Sequence, residues 1–148
     1  MICGKLDELV QYHVQILKLV SSFRKKKISL TALAKETPDD TRYCLLIKNK
    51  QLVGMYRYYK VTRDFIKDHD LAIKYWTYWQ IATVIVDPKH RGKGYGKTLM
   101  KHASKLGNMV LDTYLSWLPA MKTYLSAGYK IVSTKKDTDD YLVVFSNN

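Results

Sequence analysis

With 148 residues, 47% of them hydrophobic, the chain is long enough for one cored domain and too short for two ordinary ones, so a single domain over residues 1–148 is expected. No apolar run approaches the ~20 residues of a membrane span, and the opening stretch MICGKLDELVQYH has charges where a signal peptide has its apolar centre, so a cytoplasmic protein with no membrane partner is expected. Twenty-five Lys and Arg against 13 Asp and Glu leave a formal +12, a balance that draws polyanions and argues against small polycationic substrates such as polyamines or aminoglycosides.

Leu6, Leu9, Val10, His13, Leu17 and Val20 follow the spacing of an amphipathic helix, which the basic run from Arg24 to Lys27 ends. SLTALAKE predicts a second short helix capped by Ser29. RYCLLIKNKQLVGMYRYYKV reads as a hairpin turning at KNKQ. A long central strand is expected from Lys74 to Val86, apolar on both faces. The glycine-rich stretch HRGKGYGKT follows and leads into a helix with Tyr95, Leu99, Ala103 and Leu106 inward. The strand NMVLDTY, the helix LPAMKTYLSAG closed by Gly128, and a strand pair around KKDTDD complete one alternating α/β unit. Cys3 and Cys44 lie far apart and match no metal spacing, so they read as buried or incidental thiols.

Residues His90 to Thr98 invite three phosphate readings. The triphosphate loop G-x-x-x-x-G-K-[ST] needs a glycine five residues before Gly96, where Arg91 stands, and the dinucleotide pattern counted from Gly92 needs one at Lys97. The third pattern, Arg-x-x-Gly-x-Gly, fits throughout as Arg91-Gly92-Lys93-Gly94-Tyr95-Gly96, after the apolar stretch IATVIVDP and before a helix. This arrangement resembles the acetyl-CoA loop of the GCN5-related N-acetyltransferase (GNAT) superfamily. A second block, WLPAMKTYLSAGY, is similar to the family's Asn-x-Pro-Ala-x-x-x-Tyr-x-x-x-Gly-Phe helix. Pro119, Ala120, Tyr124 and Gly128 match, Tyr129 replaces the Phe, and Trp117 stands where the family often has Asn.

The resemblance implies a mixed α/β fold with a mostly antiparallel central sheet, flanked by helices and splayed where acetyl-CoA binds. It also implies transfer of acetyl from acetyl-CoA, a co-substrate, to a primary amine by direct attack, with no metal. On that basis Val84, Ile85 and Val86 would pair with the pantetheine amides and supply a backbone donor to the thioester oxygen. The pyrophosphate would sit in a nest of amides from Arg91, Gly92, Lys93, Gly94, Tyr95, Gly96 and Lys97, with charge from Arg91, Lys93 and Lys97. Tyr124 would protonate the departing thiolate as general acid.

The expected central strand carries no carboxylate, so no general base is named; Tyr78, Gln80 and Thr83 are the side chains there able to order a water. The acceptor amine is unidentified, and the positive charge favours one carried on an anionic macromolecule such as charged tRNA or DNA. Tyr75, Trp76, Tyr78 and Trp79 read as core aromatics or as a pocket wall, and Asp137, Asp139 and Asp140 as a solvated turn or a cation site beside the acceptor. The alternative function is a non-catalytic module of the same fold that binds CoA or nucleic acid. The oligomeric state is not legible in the sequence.

Overall fold

The computed structural model describes residues 1–148. Seven strands hydrogen-bond in the order β1-β2-β3-β4-β5-β7-β6. The pairs β1–β2, β2–β3, β5–β7 and β6–β7 are antiparallel and β4–β5 is parallel, so the sheet is mixed and mostly antiparallel, as expected. The backbone gathers into two compact units, Met1–Tyr59 with Thr83–Leu99, and Lys60–Ala82 with Met100–Asn148. No helix is long and apolar enough to cross a membrane.

The first unit opens with β1 (Ile2–Gly4) and two short 3-10 turns, and its first true helix, α1, spans His13–Arg24. The predicted stripe therefore holds only in part. Leu9, Ile16, Leu19 and Val20 are buried, whereas Val10 lies in a 3-10 turn and is 67% exposed, because a turn of three residues rotates it off the helical face. Lys25, at φ 56°, closes α1 with its N–H on the carbonyls of Ser21 and Ser22. Helix α2 (Leu30–Lys35) is capped as predicted, Ser29 Oγ accepting from Ala32 N–H at 3.1 Å. Strands β2 (Arg42–Lys48) and β3 (Gln51–Lys60) meet across Asn49 and Lys50, both at positive φ, which is the backbone of a tight hairpin turn. Ile16, Leu19, Val20, Leu33, Tyr43, Leu45, Met55 and Ile85 form this unit's core.

The cysteines are not free thiols. Cys3 and Cys44 face each other across the β1–β2 ladder with Cα atoms 4.2 Å apart and form a disulfide. The spacing of 41 residues hid this pairing, since strand register rather than sequence proximity brings the two together.

In the second unit, Thr62 Oγ1 accepts from Phe65 N–H at 3.1 Å and caps α3 (Arg63–Asp68), a short helix that sequence periodicity did not show. The expected strand from Lys74 starts later. Ile73–Thr77 wind into a 3-10 turn and β4 covers Trp79–Val86. The turn buries Tyr75 and Tyr78 edge to face at 4.9 Å and leaves Trp76 46% exposed, so two of the aromatics are core and one is surface. Along α4 (Tyr95–Leu106) Leu99, Met100 and Ala103 are buried, but Leu106 is 42% exposed, because the last turn passes beyond the covered face. Strand β5 (Met109–Tyr114), helix α5 (Leu118–Ser126) and strands β6 (Lys130–Asp137) and β7 (Asp140–Ser146) follow the predicted order. Val61, Phe65, Ile66, Tyr75, Tyr78, Val110 and Val144 make this unit's core.

Candidate active site

The loop between β4 and α4 is built from backbone geometry. Asp87 N–H donates to Val53 C=O at 2.8 Å, tying the end of β4 to β3, and the Asp87 carboxylate accepts from Lys89 N–H at 3.3 Å and meets His90 Nδ1 at 3.1 Å. The chain then passes through Gly92 and Gly94, both at φ 79°, where a Cβ would meet nothing within 4 Å. Glycine is needed there for the left-handed backbone rather than for lack of room. Gly96 differs: it already lies in the first turn of α4, so only two of the three glycines shape the loop.

Thr98 N–H, at 3.0 Å from Gly94 C=O, makes the first helical bond, so the amides of Tyr95, Gly96 and Lys97 precede the α4 ladder. They stand at the positive end of a twelve-residue helix. Arg91, Gly92, Lys93, Gly94 and Lys97 are exposed and Tyr95 and Gly96 half-buried. Lys48, which sequence reasoning did not select, adds charge, its Nζ lying 5.9 Å from the Tyr95 ring centre. The arrangement suits a di-anionic phosphate group, with exposed amides, a helix terminus and mobile cations around two left-handed glycines.

In the same unit, Val84 and Val86 are half-buried and Ile85 is buried in the core. Gly54 of β3 admits the close approach here, since a Cβ on it would lie 3.1 Å from both the Ile85 carbonyl oxygen and Leu99 Cδ1. Thr83, one residue upstream, accepts from Arg57 Nε at 3.0 Å and Nη2 at 2.6 Å. Arg57 is 3% exposed; its Nη1 donates to Glu36 Oε1 at 3.2 Å, and Arg24 grips both oxygens of the same carboxylate. Hydrogen bonding from Arg24, then the Arg24 and Arg57 charges, hold Glu36 below its ordinary range despite some burial. The Thr83 hydroxyl is thus committed to an arginine. Gln80 Oε1 likewise accepts from Thr62 N–H at 3.2 Å, and Tyr78 is buried.

In the second unit, Tyr124 lies on the buried side of α5, 8% exposed, its ring edge to face with Phe145 at 5.4 Å. Burial, and secondarily the charge of Asp112, push its phenol up to about 12. The spacing of Tyr124, Gly128 and Tyr129 also has a backbone reason. Gly128, at φ 94°, donates to Leu125 C=O and Tyr129 N–H to Tyr124 C=O, both at about 3 Å, the double bond pattern that closes a helix on a glycine. Tyr129 then buries its ring and donates its hydroxyl to Met100 C=O at 3.0 Å. Trp117 occupies the N-cap of α5, where an indole has no acceptor for the first amides.

Two further groups of this unit escaped sequence reasoning. His69, 6% exposed just after α3, meets Asp112 of β5 at 2.9 Å. In the last hairpin Asp137 accepts from the Tyr114 hydroxyl at 2.8 Å and Asp140 from Ser116 N–H at 3.3 Å. These two acids therefore brace the β5–α5 connection rather than form a loose turn. Neither pairing leaves a signal in the sequence, because partners 43 and 23 residues apart are joined only by the sheet.

Residues 11–129 match the family described as "Acetyltransferase (GNAT) family". Solved structures align over nearly the whole chain. The ribosomal-protein-S18-alanine N-acetyltransferase of Escherichia coli aligns with TM-score 0.69 and 14% identity, over 98% of this chain and 91% of that one. The aminoglycoside 6'-N-acetyltransferase of Enterococcus faecium gives TM-score 0.69 and 15% identity over 99% and 96%. AAC(6')-Ib, in complex with paromomycin and acetyl-CoA, gives 0.69 and 14% over 99% and 92%. At these identities the structural likeness establishes the fold.

Proposed function

From the acetyltransferase (GNAT) family, to which this chain belongs, we propose that it transfers an acetyl group from acetyl-CoA to a primary amine by direct attack. The observation that carries this reading is the pair of left-handed glycines, Gly92 and Gly94, opening into α4. On it, the amides from Arg91 to Lys97 hold the pyrophosphate, and Arg91, Lys93 and Lys97 screen its charge. The backbone of Val84 to Val86 pairs with the pantetheine arm and presents a donor to the thioester oxygen, a contribution of roughly 3 kcal/mol where the donor is preorganised. Tyr124 holds the proton for the leaving thiolate: its phenol, at about 12, stays un-ionised across the working range. The acceptor amine brings the nucleophile, and no metal enters. The lysines along the exposed side of α4 suit an amine carried on an anionic macromolecule; the aminoglycoside enzymes among the structural neighbours suit a small polycation instead.

Two measurements test the reading. Acetyl-CoA at ~100 times its dissociation constant should add about 2.7 kcal/mol to folding stability, visible as a melting shift, whereas ATP with magnesium should do so poorly. An equal or larger shift with ATP would overturn the loop assignment. Release of free thiol from acetyl-CoA, followed with paromomycin, an alanine-terminated peptide and aminoacyl-tRNA, then separates an enzyme from a binding module that only grips CoA or nucleic acid.

A further inference from the structure

Resting on the acyl-transfer reading, we infer that Asp112, held in place by the buried His69, is the carboxylate that receives the acceptor's ammonium group. Asp112 lies on β5 just past the point where β4 leaves it: within this unit the parallel ladder pairs Trp79 with Met109 and Gln80 with Val110, and Ile81 and Ala82 carry no partner in β5. Residues that alternate along a strand alternate between its faces. Val110 and Val144, the cross-strand partner of Asp112, belong to the cluster with Phe65 and Ile66 of α3, so Asp112 is on the α3 face. Leu111 pairs with Phe145, on which Tyr124 rests, so Tyr124 comes to β5 from the opposite face. The two residues thus flank the edge that β4 has vacated. The Asp112 charge is felt at the Tyr124 phenol.

The way Asp112 is held separates a receptor from a surface carboxylate. The His69 side chain is only 4% exposed, yet Asp112 keeps 39% of its own surface open. A buried imidazole gives up its hydration, and His69 spends its one side-chain hydrogen bond on Asp112 Oδ2, its Nδ1 being buried without a partner. With Asp112 ionised the Nε2 carries the proton, and the carboxylate is fixed in direction while retaining acceptor capacity on its open side. An ammonium has three donors and no acceptor, which matches such a group. The overall charge makes a local carboxylate necessary. A chain with 25 basic and 13 acidic side chains repels a cationic amine unless acids gather where it docks. Asp137 and Asp140 extend the negative end, since their charges and that of Asp112 all act on the Tyr114 phenol. His69 acts through Asp112 and is a positioning residue.

The test uses the full chain with acetyl-CoA and three amine probes: paromomycin, an alanine-terminated peptide and Nα-acetyl-lysine. Asp112→Asn keeps an oxygen to accept from His69 and removes only the charge, so its melting temperature should stay close to wild type. The expected result is a rise in KM for the amine of about tenfold or more, the worth of a hydrogen bond to a charged group, with KM for acetyl-CoA unchanged. His69→Gln, which still donates, should keep most of the amine affinity, whereas His69→Leu should lose it. An unchanged amine KM in Asp112→Asn, beside measurable wild-type turnover, overturns the assignment. So does a parallel loss of stability and acetyl-CoA affinity, which would make the pair a clamp of the fold. If acetyl-CoA raises the melting temperature yet no amine releases thiol, the acyl-transfer reading falls and the role of Asp112 falls with it.

Discussion

Replacing Tyr124 by Phe removes one oxygen from a side chain that is 8% exposed and keeps the ring against Phe145. Packing on α5 should scarcely change, and acetyl-CoA should raise the melting temperature as in wild type. The chemical loss is the proton for the leaving thiolate, a general-acid contribution of roughly a hundredfold or more in kcat. The phenol is a weak acid at about 12. A free thiol near ~8.5 is the stronger acid, so complete transfer is uphill in water. Burial acts on both partners, however, and also raises the value of a thiolate formed in a desolvated site, which narrows the gap. The fold-change should therefore shrink with acyl donors whose leaving thiol is more acidic and needs the proton less. The raised value has a signature in stability as well. A phenol whose folded value exceeds its unfolded one contributes stability that is fully present below pH 10 and is lost as pH rises towards 12. Two units correspond to about 2.7 kcal/mol at most, and Tyr124→Phe should lack that part of the alkaline decline. Turnover and thermal melts across pH 7 to 11 report both effects. Wild-type kcat in Tyr124→Phe, under conditions where chemistry is rate-limiting, would return Tyr124 to a core aromatic.

Gly94→Asp should abolish the stabilisation by acetyl-CoA, because it puts a negative charge into the nest; Gly94→Ala should cost only the left-handed backbone, about 1–2 kcal/mol by thermal melt, since its Cβ meets nothing. Glu36→Gln should remove part of the acid limb of stability: the carboxyl, held low by Arg24, contributes above its ordinary value of 4.5 and loses that contribution as pH falls below it, which acid titration by circular dichroism measures. Reduction of the Cys3–Cys44 disulfide, or its Ser variants, should destabilise the chain by about 2–4 kcal/mol, as expected when a loop of this length is released, and unfolding in urea with and without reductant gives the difference.

What the sequence determined alone is what short-range geometry fixes. Arg-x-x-Gly-x-Gly sets two left-handed residues and a helix start within six positions, the Ser29 cap acts over three residues, and Tyr124, Gly128 and Tyr129 close a helix within one turn. Such features need no distant partner, so residue type and spacing suffice. The family resemblance is carried by those same blocks, and the strand order followed from them with a few displaced boundaries. Those boundaries moved because Ile73–Thr77 have strand composition but wind into a 3-10 turn whose buried tyrosines stack on each other. The tertiary structure alone decided the pairings across long stretches of chain: Cys3 with Cys44, Arg57 between Glu36 and Thr83, and His69 with Asp112. Each is set by strand register or by which face a helix covers. A shift of one residue along β5 would turn Asp112 to the other face and away from His69, and no local pattern in the sequence records that choice.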